Sequence, residues 1–258
     1  MVRTQAKELR ISSWYTVYMQ RVLSLFFFVA FLSLSFPAAP PAQPDPDAAA
    51  IAAAAQSALN PQFTPPAPGT YALPPIDTIT NHQLLDSTGK KVDLFTLTQG
   101  KIAIISFMYT SCHDVGGCPL AATVLHHIDQ FLEQRPELAQ QVTLISISFD
   151  IERDTPARLA EIRAGLEPHT SWHFLTSEDQ QGLETILADF NQAVTKLWNE
   201  DGSWSGLFRH VLKVYLLDTT HRVRNIYSTG LFSAPLVLND IETVLMEVDK
   251  HAIVNEQQ

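Results

Sequence analysis

An α/β sandwich built on a mixed β-sheet is the fold this sequence predicts, and three observations carry the prediction. Two apolar runs, 102–108 (IAIISFM) and 141–149 (QVTLISISF), are rich in β-branched residues and too short for average helices, so they read as buried strands. Each leads into a helical pattern opened by a proline. In 118–135, Leu120, Val124, Ile128, Phe131 and Leu132 recur at three- and four-residue spacing, and a shorter pattern runs over 156–165. Finally, 211–217 (VLKVYLL) and 222–227 pair across Asp-Thr-Thr-His before a last helix around 241–248. Strand, helix, strand, helix, hairpin and helix together cover both faces of one sheet.

The sandwich needs only the later part of the 258 residues. Residues 1–21 form a basic segment, with Arg3, Lys7, Arg10 and Arg21 against Glu8 alone. Residues 22–38 contain the uncharged run VLSLFFFVAFLSLSF, expected to be a signal peptide or an uncleaved transmembrane anchor. A start at Met19 would give a signal of ordinary length, and that start favours a bacterium. Prolines at 37, 40 and 41 leave no clean small-residue cleavage site, which favours the anchor. Either way the basic end stays inside, and the domain is expected to be exported and to face the periplasm. Residues 39–68 are Pro- and Ala-rich, a linker composition, and 69–258 is the folded domain. That domain holds 13 Lys and Arg against 24 Asp and Glu, a formal charge of −11, which argues against nucleic acid as a partner.

Taken in order, residues 71–79 read as irregular, and 81–95 as a β-hairpin around Ser-Thr-Gly. Gln99-Gly100 turns into the strand 102–108. After the strand 141–149, Asp154 or Thr155 is expected to cap the helix that begins at Pro156. A third strand is expected at 171–176 and an amphipathic helix at 178–190, through Leu183, Ile186, Leu187 and Phe190. Residues 191–208, with Trp198 and Trp204 flanking Asp-Gly, read as an exposed irregular loop, and the strand 211–217 is expected to begin at His210.

Chemistry concentrates where the strand 102–108 gives way to its helix. Both cysteines of the chain, Cys112 and Cys118, lie there. Cys118 is expected at or beside the helix N-cap, with Pro119 as first helical residue, where free amides and the dipole favour a thiolate. Three readings follow. The pair can form a local structural disulfide, which removes little chain entropy. It can do thiol redox work, with Cys112 attacking and Cys118 resolving or, since Cys118 has the helix end, the reverse, although C-x5-C is longer than the usual C-x2-C. It can also bind a soft metal, Cu(I) or zinc, if further ligands exist; Gly116-Gly117 leaves the loop pliable enough to turn both sulfurs to one point. Histidine candidates for a third ligand are scattered. His113 adjoins Cys112, His126 and His127 are helix neighbours that cannot share a face, and the i, i+4 spacing of His169 and His173 is set aside because Pro168 and the strand-like SWHF argue against a helix there. His82, His221 and His251 are isolated, and His210 stands at a strand start.

Three segments in order, HDVGGCP, FDIERDTP and RHVLKVYLLD, resemble the motifs C-x-x-x-C-P, V-D-P-E-R-D-T-P and D-H-S-x-x-x-Y-L-x-D of the Sco/SenC family. The resemblance spans roughly residues 75–250. It implies a thioredoxin-like domain, usually tethered by one N-terminal helix, that delivers copper to the CuA centre of cytochrome c oxidase. The implied ligands, for Cu(I) and in some states Cu(II), are Cys112, Cys118 and His210. The implied partners are oxidase subunit II or a similar copper-receiving protein and a thiol reductant. An exported thiol-disulfide oxidoreductase using Cys112 and Cys118 is the alternative. The chain departs from the family pattern in a cysteine loop two residues longer, in Arg209 before the histidine, and in Ile151 where proline is usual. The longer loop and the Arg209 charge would both weaken copper binding relative to thiol redox work. Asp150 and Glu152 are expected at most to support the site from behind.

Overall fold

Among the described residues the chain runs β1 (Asp77–Thr78), β2 (Gln83–Asp86), β3 (Lys91–Asp93), α1 (Leu94–Thr98), β4 (Ile102–Met108), α2 (Cys118–Glu133), α3 (Pro136–Ala139) and β5 (Val142–Ser148). It continues through α4 (Pro156–Leu166), β6 (Trp172–Thr176), α5 (Gln180–Asp189), β7 (Val194–Trp198), β8 (Trp204–His210), β9 (Val214–Leu217), β10 (Arg222–Tyr227) and α6 (Ala234–Glu256). This computed structural model describes residues 63–256, with side chains as far as Val248, and the single positions 53 and 56. The basic segment 1–21, the apolar run 22–38 and most of the linker 39–68 lie outside the described residues. Among the described residues, no helix is long and apolar enough to cross a membrane.

Eight strands form one sheet in the order β1-β10-β9-β4-β5-β6-β2-β3. The centre is parallel, β4 to β5 to β6, with Ile104 opposite Leu144 and Leu144 opposite Trp172. Parallel neighbours need crossovers, which α2 with α3 and then α4 provide. Antiparallel β9 and β2 flank this centre, so the sheet is mixed. The first six residues of β4 and all seven of β5 are buried, which is why these runs are apolar without strict alternation. Period two still sorts their side chains. Ile102 and Ile104 face Val124, Ile128 and Leu132 of α2 and Val237, Ile241 and Val244 of α6. Ala103, Ile105 and Phe107 face the other layer, with Leu183 and Ile186 of α5, Phe190 just after it and Leu94 of α1.

The α/β sandwich with a mixed sheet is therefore as expected, and so are the β2–β3 hairpin, the three parallel strands, α2, α4, α5 and the β9–β10 hairpin. Four local differences appear. Leu94–Thr98 forms a short helix, Asp77–Thr78 adds a two-residue strand to β10, and the last helix begins earlier, at Ala234. The fourth bears on function: residues 191–208 are not an irregular loop. β7 and β8 form an antiparallel ribbon, with Trp198 opposite Trp204 across a turn in which Gly202 takes a φ of +82°. Asp-Gly between β-prone runs is a hairpin signal, masked here by the two exposed-looking tryptophans. In consequence His210 ends β8 instead of beginning the following strand, which starts at Val214.

Candidate metal centre

The cysteine loop is held at both ends before any metal is considered. Asp154 is fully buried and accepts hydrogen bonds from the Thr110 amide (2.9 Å), the Thr110 hydroxyl and the Ser148 hydroxyl (2.6 Å). One carboxylate thus ties the C-terminal ends of β4 and β5 together at the point where the chain leaves the sheet. The loop then folds on itself. Asp114 accepts from the Gly116 amide through its side chain (3.1 Å) and from the Gly117 amide through its carbonyl (2.9 Å). This tight turn takes up the added length of C-x5-C, so the two cysteines still come together. Thr229, after β10, donates its hydroxyl to the Gly116 carbonyl at 2.9 Å and fastens the loop from the other side. Gly117 is the N-cap of α2, Cys118 its first residue and Pro119 its second, one place later than expected.

His210 reaches the thiols from the β7–β8 ribbon. Its Nε2 lies 3.9 Å from Cys118 Sγ, and the donor atoms of Cys112, Cys118 and His210 all fall within 4.8 Å of one another. Two aromatic rings pack against the imidazole, Phe149 at 5.0 Å between centroids and Tyr109 at 6.0 Å, and Phe208 packs on both of them at 5.1–5.2 Å. Edge-to-face packing of this kind restricts the orientation of the imidazole ring. Alternation along β8 matters equally. Phe208 and His210 share the half-buried face, whereas Leu207 and Arg209 are exposed on the opposite one. The expectation that Arg209 acts on the thiolates is therefore not met, because its side chain leaves the strand on the other side.

The two thiols differ sharply. Both are free. Cys112, half-buried, accepts a hydrogen bond from Cys118 and a further one from His210, which hold its thiol down at about 3 against the opposing cost of burial. Cys118 is 7 % exposed; its proton serves Cys112, and burial adds to that, so its pKa is raised. The helix N-terminus was expected to make Cys118 the thiolate. Burial and a neighbouring sulfur charge outweigh the dipole, and the thiolate is Cys112. Tyr109 is pushed up to about 12, first by burial and then by the adjacent Cys112 charge.

The remaining candidates are placed elsewhere. His113 is exposed, and His126 bonds Gln130 at 3.1 Å with its ring 6.2 Å from that of His127. His169 is held by Asp129, His173 contacts Ser171, His82 pairs with Asp189, and His221 stacks on Phe95. The His251 side chain lies outside the described ones. Of the two possible caps, Thr155 is the one used, accepting from the Arg158 amide at 3.3 Å. Asp150 is buried and paired with Arg153; burial raises its carboxyl above the usual range and Arg153 offsets this only in part. Glu152 forms an exposed pair with Lys196 on β7 at 2.6 Å. Sequence reasoning missed Tyr109, Phe149, Phe208 and the loop-locking role of Asp154. The first two were visible as aromatics at strand ends, and Phe208 needed the ribbon to be recognised.

Chemically the donor set fits one soft ion. With bonds of about 2.0–2.3 Å, the lengths imidazole and thiolate make to zinc, three trigonal donors lie roughly 4 Å apart, close to the sulfur–nitrogen separation seen here. Two sulfurs and one imidazole suit Cu(I), whereas structural zinc calls for a fourth ligand. A search of the curated proteins returned no match. Solved structures do match. The copper-bound ScoI of Bradyrhizobium japonicum is 26 % identical, with a TM-score of 0.52 over 65 % of this chain and 99 % of that one. A SCO1/SenC family lipoprotein of Bacillus anthracis is 22 % identical, with a TM-score of 0.56 over 68 % and 99 %. BsSco, described as having a disulfide switch and as a member of the Sco family of cytochrome c oxidase assembly proteins, is 22 % identical, with a TM-score of 0.52 over 68 % and 98 %. The thioredoxin-like arrangement of a mixed sheet between helices is shared with them. The family model SCO1/SenC matches residues 72–246, and this chain belongs to the SCO1/SenC family.

Proposed function

We propose that this protein carries copper for respiratory oxidase assembly, taking up Cu(I) through Cys112, Cys118 and His210 and passing it to the CuA site of cytochrome c oxidase subunit II or a similar acceptor. The observation that carries the reading is the convergence of those three donors within 4.8 Å, two of them from the β4–α2 loop and one from a separate ribbon. Copper is here the cargo. A three-donor set leaves a coordination position through which an incoming ligand of the acceptor can bind before the donor ligands leave. Hydrogen bonds from Cys118 and His210 lower the Cys112 thiol toward the thiolate that binding needs, while Cys118 is raised and must give up its proton on loading. Loading requires both thiols reduced, which makes a thiol reductant a partner and makes disulfide and copper mutually exclusive. The basic segment and apolar run at the N-terminus support export with membrane attachment, facing the periplasm.

Titration of the reduced protein with Cu(I) against a chromophoric chelator tests the reading. Wild type is expected to take up one equivalent, with affinity lowered more than about 100-fold in His210→Ala, since loss of groups that merely support a ligand already costs 10–100-fold. Equal affinity in the two proteins would sink the three-donor site. A second reading, thiol-disulfide oxidoreductase, is favoured by the one-thiolate, one-thiol pair: Cys112 attacks a partner disulfide and Cys118 resolves the mixed disulfide. Rapid reduction of a protein disulfide by His210→Ala would support that activity.

A further inference from the structure

We propose that Arg153 is a positioning residue for the copper site, clamping the ribbon that bears His210 over the cysteine loop; the proposal rests on the three-donor reading given above. The β7–β8 ribbon hydrogen-bonds to no strand of the eight-stranded sheet, so side-chain contacts decide where it sits. Arg153 supplies the most directed of these. Its Nε is anchored on buried Asp150, beyond the end of β5. From that anchor its terminal nitrogen donates to the Gly206 carbonyl at 2.7 Å, and its guanidinium carbon lies 4.4 Å from the centre of the Trp204 ring. Tyr109, which packs against His210, and Phe208, which packs against Tyr109, come within 6.0 Å of the same guanidinium.

The ribbon is shaped for this contact. Phe208 and His210 share the half-buried face of β8, and the guanidinium that reaches Trp204 and the Gly206 carbonyl also lies 5.9 Å from the Phe208 ring. Gly206 adopts a φ of +81°, and a Cβ there would stand 3.3 Å from an Arg153 nitrogen. The glycine therefore serves both the backbone turn and the approach of the guanidinium. Lys196 approaches Trp204 too, at 4.6 Å, but from an exposed pair with Glu152. Only a planar fork can hold the Asp150 carboxylate, donate to the Gly206 carbonyl and stack on an indole together, which an ammonium cannot do.

Arg153→Lys keeps the charge beside Asp150 and so the fold, while removing the fork and the stacking. It is expected to lower Cu(I) affinity about 10–100-fold, the usual cost of losing a group that orients a ligand. Unfolding temperature should fall by only a few degrees, and Trp204→Leu should have a smaller effect of the same kind. In a His210→Ala background Arg153→Lys should cost nothing further, whereas a general structural effect would add in full. A readout without copper accompanies these: the His210 ring resonances of the apo protein should shift and broaden in Arg153→Lys. Unchanged affinity and unchanged His210 resonances in Arg153→Lys overturn the proposal, as does a full additional loss in the His210→Ala background. If instead wild type and His210→Ala bind Cu(I) alike, the three-donor reading fails, and the resonances alone then decide whether Arg153 positions His210.

Discussion

The two halves of the site are built in opposite ways. The cysteine half is continuous in sequence: a fully buried parallel strand, a short loop and a helix start, locked by Asp154 and Thr229. The histidine half is a two-stranded ribbon with exposed or half-buried residues throughout, separated from Cys118 by 92 positions and held by side chains instead of a shared ladder. An isolated ribbon is marginal in water, so the second half borrows its order from contacts with the first. The difference implies that thiol chemistry and metal affinity can be perturbed separately. The proposed role of holding and then releasing copper would gain from one rigid side and one adjustable side.

That contrast can be broken from either half. The largest effect is expected for Asp154→Ala, which strips the Ser148 hydroxyl and the Thr110 amide of their buried acceptor. It should cost about 3 kcal/mol in urea unfolding, because each buried group left unpaired costs roughly 1–3 kcal/mol. A loss below about 1 kcal/mol would mean that the cysteine half is not locked as described.

Next comes pH. The folded pKa of Cys112 lies below the unfolded value of about 8.5, so its contribution to stability is complete above that value and is lost as pH falls toward about 3. Cys118, raised, acts in the opposite sense: its contribution is present below the unfolded value and is lost as pH rises. Reactivity separates them. Alkylation of an ordinary cysteine slows roughly 70-fold from pH 8 to pH 6, whereas Cys112 should change by less than about twofold and Cys118 should stay unmodified. A Cys112 rate that falls tenfold per pH unit over that range would refute the thiolate assignment.

A smaller effect is expected from the ribbon. Phe208→Ala should cost about 2 kcal/mol, less than the 3–5 kcal/mol of a fully buried aromatic, while leaving the Cys112 alkylation profile intact. A changed profile would show that the halves are more tightly coupled than their construction implies. The smallest change, about 1 kcal/mol or less, belongs to Thr229→Val, which removes one exposed hydrogen bond to the cysteine loop. Its stability can be read from the same urea titration.

Much of the fold was legible because its signals are local. IAIISFM and TLISIS carry the central strands, Pro119 and Pro156 mark helix starts, and Asp-Thr-Thr-His marks a hairpin. Both sulfurs were legible for the same reason, being the only two in the chain. His210 was different: pattern alone left it one of nine histidines, and only the resemblance to a family singled it out. The ribbon went unread because its alternation is broken by a bulge between Lys196 and Trp198 and its large aromatics face partly outward.

By itself, then, the amino-acid order determined a mixed α/β sandwich and a pair of thiols at the mouth of its central strand, since apolar period and helix-start chemistry act over a few residues. Only the tertiary structure decided which thiol is lowered and which raised, that Arg209 turns away while His210 turns in, and that two aromatic rings pack against the imidazole while Arg153 reaches the ribbon that bears it. Those outcomes depend on burial and on contacts between segments dozens of residues apart, and neither is written in any local stretch of sequence.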